Sequence, residues 1–290
     1  MPAARRAGSF GPGLYIVSTP IGNAADVSLR ALDILAAAQA VACEDTRVTA
    51  KLLALHGIRA PLLPYHEHNA ERMRPRIVRR LEQGETIALV SDAGTPLISD
   101  PGYKLVRACV EAGLAVTAVP GPSAVTTALV LSGLPTDRFL FAGFLPPRAA
   151  ARRTALAEVA DLRATLVFLE AKQRLAPCLA DMAEVLGDRP AAVARELTKK
   201  FEEVRRATLS ELTRHYREAG EPKGEITIVV GPPLEAAPDD ATVEDTLTTR
   251  LTEALKTASL SNAVARVASE TGLPRRRVYA RALALKGDDG

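Results

Sequence analysis

The side chains best suited to chemistry in this chain are carboxylates set among tight proline and glycine turns. In Ser91–Gly102, Asp92 and Asp100 are interspersed with Gly94, Pro96, Pro101 and Gly102. Glu44 and Asp45 stand beside Thr46 and Arg47, and His66-Glu67-His68 adds two imidazoles and another carboxylate. Such groups can serve as a general base, which contributes about 10²–10⁴-fold when held on the reacting group. The candidates are Glu44, Asp45, His66, Glu67 and Asp100. Glycine lets backbone approach a ligand without a Cβ, and proline fixes φ while leaving its carbonyl free. A plainer alternative is a turn in which Asp and Gly serve turn geometry only. For residues 44–47 it is that Asp45 and Thr46 cap a helix and Arg47 pairs with a nearby carboxylate.

The elements that must position these groups are strands. Thr86–Val90 is an apolar run of the kind a buried strand requires, and Ser91–Gly102 follows it. Ligands of open α/β sheets bind at the carboxyl ends of strands. The design recurs. Leu14–Val17 reads as a strand leading into Ser18–Asn23, with a helix from about Ser28, a plausible N-cap, to Ala38. Ala115–Val119 leads into Pro120-Gly121-Pro122-Ser123-Ala124, and a helix carrying Val125, Leu129 and Val130 begins near Ser123. The run Ala40–Cys43 delivers Glu44 to the same end. These loops imply one crevice lined by backbone. None is a phosphate loop, and no Gly-x-Gly-x-x-Gly follows the first strand, which argues against an NTP or an NAD-type pyrophosphate.

At 290 residues and 47% hydrophobic, the chain suits two domains and an appendage. Strands alternate with helices from about 13 to 121, with helices near Thr46–Leu55, Ala70–Glu82 and Gly102–Ala112, which predicts a parallel or mixed sheet. Residues 122–233 open with a helix and show strand runs at Phe139–Ala142, Thr165–Leu169, Ala191–Arg195 and Glu225–Val230. Residues 1–12, rich in Ala, Arg, Gly and Pro, are expected to be disordered, and Leu234–Asp240 reads as a linker. No secretory signal and no run of membrane-spanning length is present. Three widely spaced cysteines, Cys43, Cys109 and Cys178, suggest neither a disulfide framework nor a metal site, and nothing completes a ligand set around His66 and His68. With no Trp and 4% aromatic residues, no base-stacking surface is obvious, and a net charge of +3 points only weakly to nucleic acid.

Residues 241–290 differ from the rest. Ala263, Val264, Val267 and Ala268 make one apolar helix face, Gly272 ends that helix and Pro274 can open another. This is a helix-turn-helix pattern. Arg275, Arg276, Arg277 and Arg281 would cluster on its second helix, where phosphate contacts are made, or form the solvated face of a helical cap.

Taken together, Thr19-Pro20-Ile21-Gly22-Asn23, Glu44-Asp45-Thr46-Arg47, Ser91–Gly102 and Pro120-Gly121-Pro122-Ser123 resemble the tetrapyrrole methylase superfamily. Within it they are most similar to the small-subunit (16S) rRNA (cytidine-2′-O)-methyltransferases. Gly133–Phe139, Gly143-Phe144-Leu145-Pro146, Arg195-Glu196-Leu197-Thr198-Lys199 and Lys223-Gly224-Glu225 extend the match over roughly residues 13 to 232. Ser18, Ala207 and the Lys172-Gln173 pair depart from the family pattern. The resemblance implies an α/β two-domain fold with a mixed sheet in each domain, a homodimer in the cytoplasm, and S-adenosylmethionine as methyl donor without a metal. It assigns Pro20, Asp92, Gly94, Thr95, Pro96, Ser123 and Ala124 to the donor, with Leu169, Leu197 and Gly224 from the second domain. Methyl transfer to a ribose hydroxyl needs near-attack geometry and gains from a base, which puts Glu44, Arg47 and Asp100 on the substrate side. Arg174, Arg195, Lys199, Arg275, Arg276 and Arg277 are candidates for RNA phosphates. Methylation of a tetrapyrrole carbon and non-catalytic RNA binding are the alternatives.

Overall fold

The computed structural model describes residues 10–233 and 240–287. These form two compact units, one ending at Pro233 and one after it. The expected disorder of residues 1–12 lies outside the described residues up to residue 9, as does most of the linker at 234–240. Phe10 packs edge-on against Tyr15, and the Gly11 carbonyl accepts from the hydroxyls of Tyr15 and Thr86.

The first half of the larger unit runs β1 (Gly13–Val17), α1 (Leu29–Ala37), β2 (Ala40–Cys43), α2 (Thr46–Leu55), β3 (Leu62–Pro64), α3 (Ala70–Glu82), β4 (Thr86–Leu89), α4 (Tyr103–Glu111) and β5 (Val116–Val119). Its strands order as β3-β2-β4-β1-β5. Every pairing is parallel, which narrows the expected mixed sheet of this half. A helix follows each of the first four strands and returns the chain to the same starting edge, so all loops after the strands emerge at one end. Ser28 caps α1 by accepting from the Ala31 N–H. Val17, Leu35, Val41 and Val90 fill one face of the sheet; Leu14, Tyr65, Ile77, Leu89 and Leu105 fill the other. Burial on both faces is why β2 and β4 are uninterrupted apolar runs.

The second half runs α5 (Ala124–Ser132), β6 (Phe139–Phe144), α6 (Ala149–Ala157), β7 (Thr165–Glu170), α7 (Leu175–Leu186), β8 (Pro190–Arg195), β9 (Glu203–Thr208), α8 (Leu209–Ala219) and β10 (Ile226–Val230). The sheet, β6-β7-β10-β8-β9, is mixed: β6 and β7 are parallel, and the other pairs antiparallel. Alternation splits its faces. Leu166, Phe168, Ile228 and Val193 face α7 and α8, while Val167, Val229, Ala192 and Ala194 pack with Val125 and Leu129 of α5. Val130, carried by the same helix, is exposed. The edge strands β3 and β9 carry no apolar run. β3 is three residues ending in proline, and β9 is Glu-Val-Arg-Arg-Ala-Thr.

One buried ion pair holds α6 to α7. Arg152 is 4% exposed; its guanidinium lies 2.5 Å from Asp181 Oδ2 and donates to the Pro147 carbonyl at 3.1 Å. Arg153 takes the other oxygen at 2.8 Å.

The second unit comprises α9 (Asp240–Thr257), α10 (Leu260–Thr271) and α11 (Arg275–Gly287) around Leu247, Leu251, Val264, Val267 and Val278. Gly272 takes the left-handed conformation at φ 68° and its N–H closes α10 on the Ala268 carbonyl. This is the helix, glycine turn and helix expected from the sequence.

Asp181→Ala leaves a buried guanidinium uncompensated. Removing one partner of a buried pair costs about 3–5 kcal/mol, and chemical denaturation should show a loss of that size.

Candidate functional site

The loops that follow β1, β4 and β5 are fastened to one another. Thr19 and Gly94 exchange both backbone hydrogen bonds, at 2.9 and 3.0 Å. The Thr19 hydroxyl also donates to the Ser91 carbonyl at 3.1 Å. Thr95 Oγ1 donates to the Pro122 carbonyl at 3.2 Å and therefore accepts from Ser18 Oγ at 3.0 Å. The loop after β2 joins through the Asp45 N–H, which donates to Asp92 Oδ1 at 3.0 Å. Within 91–102 the backbone is strained: Leu97 and Ser99, neither glycine, have φ of 75° and 63°. Such residues cost about 1–3 kcal/mol each and persist only where surroundings over-determine them.

The second half supplies an opposing wall. Glu196 and Thr198 also have positive φ, 50° and 64°, and place Leu197 between them. Gly224, at φ 92°, lies so close that a Cβ there would fall 1.8 Å from Glu196 Oε1. Lys199 Nζ donates to Glu196 and Glu225 at 3.0 and 2.9 Å, and Thr198 Oγ1 accepts from the Asn23 N–H at 3.1 Å. That last bond ties the two halves at the site.

Between these walls is a cavity of about 510 Å³, within the ordinary range for small-molecule sites. Asp92, Gly94, Thr95, Ser123, Ala124, Leu169, Leu197 and Gly224 line it, as does Asp100. Pro20 lines a smaller adjoining cavity of about 310 Å³, and Pro96 is buried in its loop without lining either. Glu44 and Arg47 line neither. Asp45 caps α2, and the Arg47 side chain, 86% exposed, pairs with it at 2.5 Å. The capping and pairing alternative raised for these residues is therefore the arrangement present. Ile98, Ser99, Phe144, Lys172 and Gln173 also line the cavity and were not singled out as ligand contacts. Their signals were faint: Phe144 sits in the Gly-Phe-Leu-Pro string and Lys172-Gln173 is a departure from the family pattern.

Asp92 and Asp100 line the cavity, and Glu44, outside its lining, is near enough for its charge to act on Asp100. Burial pushes Asp100 up to about 6, and the charges of Glu44 and Asp92 add to it against an opposing hydrogen bond from Ser91. Glu44 is raised by burial and then by Asp92. Asp45 is the exception, held down at about 2 by hydrogen bonds from Arg47. Asp100 thus combines a cavity position with a proton affinity suited to base catalysis near neutral pH.

The cavity fits the expected donor. Leu169, Leu197 and Val125 offer apolar walls for an adenosine, while Asp92 and Asp100 offer negative charge to a sulfonium. Gly94 spends its own N–H and carbonyl on Thr19, so its contribution is the missing Cβ. That Cβ would meet only Ile21 at 3.5 Å and Pro122 at 3.8 Å. Among the described residues no group of three or more His, Cys, Asp or Glu could hold a metal ion.

The phosphate candidates near the cavity are engaged within the chain. Arg174 pairs with buried Glu170 at 2.5 Å, Arg195 with Glu203 at 2.6 Å, and Lys199 with Glu196 and Glu225. In the helical unit Arg277 pairs with Glu244 at 3.1 Å and Arg281 bonds Thr248 at 2.9 Å. Arg275 and Arg276 project from α11 exposed.

Residues 13–213 match the model of the tetrapyrrole (corrin/porphyrin) methylases, and residues 239–286 match that of the RsmI C-terminal HTH domain. The chain is 49% identical to ribosomal RNA small subunit methyltransferase I of Mesorhizobium japonicum, over 96% of this chain and 94% of that protein. It is 52% identical to the protein of the same name from Erythrobacter litoralis, over 95% and 96%. Among solved structures it is similar to the uroporphyrin-III C-methyl transferase from Thermus thermophilus complexed with S-adenyl homocysteine. That likeness has a TM-score of 0.52 at 21% identity, covering 76% of this chain and 97% of that one.

Gly94→Val puts a branched side chain into the cavity at a φ that valine tolerates poorly. Calorimetry on the folded variant should show S-adenosylmethionine affinity reduced at least about tenfold, equivalent to about 1.4 kcal/mol. Unchanged affinity would remove Gly94 from the donor site.

Proposed function

The chain belongs to the tetrapyrrole methylase family, and on that premise we propose that it methylates the 2′-oxygen of a cytidine ribose in small-subunit (16S) ribosomal RNA. It is a methyltransferase with S-adenosylmethionine as donor. The observation that carries the proposed acceptor is similarity along nearly the whole chain, helical unit included, to proteins named for the small ribosomal subunit. Methylation of a tetrapyrrole carbon would use the same cavity but gives the helical unit no task. Non-catalytic RNA binding gives the cavity none.

S-adenosylmethionine, when bound, supplies an electrophilic methyl carbon on a positively charged sulfur. The chain's residues do the rest. Leu169, Leu197 and Val125 exclude water, and the Thr19–Gly94 bridge fixes the loop that faces them. Holding reactants in near-attack geometry supplies about 7–11 kcal/mol in well-oriented systems. Asp100 accepts the proton of the attacking hydroxyl at its carboxylate. Glu44 and Asp92 keep that carboxylate basic, and Glu44 acts as a positioning residue. Arg275 and Arg276 of the helical unit contact RNA phosphates. Exposed Leu29, Leu55, Val130 and Phe201 are apolar side chains that a second copy of the chain would cover in the proposed homodimer. A cytoplasmic location follows from the proposed substrate; no helix among the described residues is long and apolar enough to cross a membrane.

Methyl transfer to undermethylated small ribosomal subunits, measured beside a precorrin and read by nucleoside mass spectrometry, should yield 2′-O-methylcytidine. Transfer only to the precorrin would overturn the proposal.

Asp100→Asn should lower kcat by about 10²–10⁴-fold. The wild-type kcat/KM should climb with pH through about 6, where Asp100 loses its proton, and the variant should lack that limb. Stability follows with the opposite sign. A carboxyl raised above its ordinary 3.8 holds its proton more tightly in the folded chain. Its contribution is therefore full below that value and is lost as pH rises through about 6. Thermal melts of Asp100→Asn should lack this fall.

Deleting residues 241–290 should weaken binding to subunits and lower its salt dependence by about one unit of slope per lost phosphate contact. Donor binding should persist. An unchanged salt slope would make the helical unit a structural cap.

A further inference from the structure

The end of β6 breaks its own alternation. Leu140 and Ala142 pack with the core under α7 and α8, and Phe141 packs with the opposite cluster, against α5. Continued alternation would send Phe144 to the same side as Leu140 and Ala142. It does not go there. The register with β7 runs Phe141 opposite Val167 and Gly143 opposite Phe168, so Ala142 is an extra residue. Gly143 absorbs the bulge at φ 67°. Phe144 then pairs with Leu169, a cavity-lining residue, and lines the cavity itself while 56% exposed. A one-residue insertion exchanges the faces of a strand, and bulges beside active sites commonly re-aim a side chain.

An exposed phenylalanine at a cavity mouth has no folding benefit to recommend it. Lys172 lines the same cavity from the short helical turn after β7 and is exposed. Among the described residues it is the one Lys or Arg in that lining, and it has no ion pair. Arg174, Arg195 and Lys199, by contrast, are all paired with carboxylates. The deep apolar walls, Val125 and Leu197, are buried, so the exposed rim is where a macromolecular acceptor must arrive. Sequence-specific recognition of RNA uses aromatic stacking on unstacked bases together with cationic contacts to the backbone.

We propose that Phe144 stacks on the nucleobase of the acceptor nucleotide at the cavity rim and that Lys172 holds a phosphate beside it. This inference rests on RNA being the acceptor.

The test is steady-state methyl transfer to undermethylated small subunits by the full-length protein, with donor titration of every variant. Phe144→Ala and the bulkier Phe144→Leu should raise KM for subunits by about five- to a hundredfold, the range for losing one base–aromatic stack. Phe144→Tyr should restore it, and donor affinity should be unchanged throughout. Lys172→Ala should raise KM and lower its salt dependence by about one unit of slope. Wild-type KM in Phe144→Leu, or a donor affinity that falls in step with KM, would overturn the inference while leaving the RNA acceptor standing. No transfer to subunits by the wild-type protein would overturn both.

Discussion

The site depends on a single antiparallel bridge, in which Thr19 and Gly94 exchange two backbone hydrogen bonds across the ends of neighbouring parallel strands. Loops at the end of a parallel sheet have no ladder of their own. Left alone they would sample many conformations, at a backbone entropy of about 1–2 kcal/mol per residue once ordered. The bridge removes that freedom where it matters. With the Ser18 hydroxyl bonded to Thr95, whose own hydroxyl reaches the loop after β5, it turns three separate connections into one rigid floor. A rigid floor is what transfer between two groups needs, because misplacement by about an ångström can cost about a hundredfold in rate.

Rigidity at the floor is bought with strain at both walls. Leu97 and Ser99 on one side, and Glu196 and Thr198 on the other, hold left-handed conformations that glycine would adopt more easily. The compensation is local. Leu97 packs with the buried side chains of the first half, and Gly224 leaves room for the Glu196 carboxyl that Lys199 then binds. The Thr198–Asn23 hydrogen bond passes the constraint between halves, so the cavity is defined by both sheets at once.

Electrostatics divides the charged groups by depth. Cations around the cavity are mostly matched to carboxylates, which leaves the negative charge of Asp92 and Asp100 facing the space inside. Asp92 has a second task, receiving the Asp45 N–H and fixing the distance between the ends of β2 and β4. Burial without a partnering cation is what lifts Asp100 and separates it from Asp45, whose arginine lies two residues away. Carboxylates in similar stretches of sequence thus differ in chemistry because their surroundings differ.

The apolar runs Leu14–Val17, Ala40–Cys43 and Thr86–Val90, the Ser28 cap and the Gly272 turn were legible because each is a local signal, a run or a single residue whose chemistry needs no partner. The loop strings also marked where a ligand would sit. Strands β3 and β9 stayed hidden because they are short or polar edges, whose existence depends on a neighbour already in place. Helices α6, α7 and α8 stay hidden for a related reason, since in the second half the strand runs are the stronger local signal. Side-chain roles were the least legible. Arg47 and Arg174 found carboxylates within a few residues, and Phe144 reached the cavity through an inserted residue that no periodicity announces. The sequence determined the strand ends at which chemistry could occur. Only the tertiary structure decided which groups face the cavity, because facing depends on register, strain and partners contributed from distant parts of the chain.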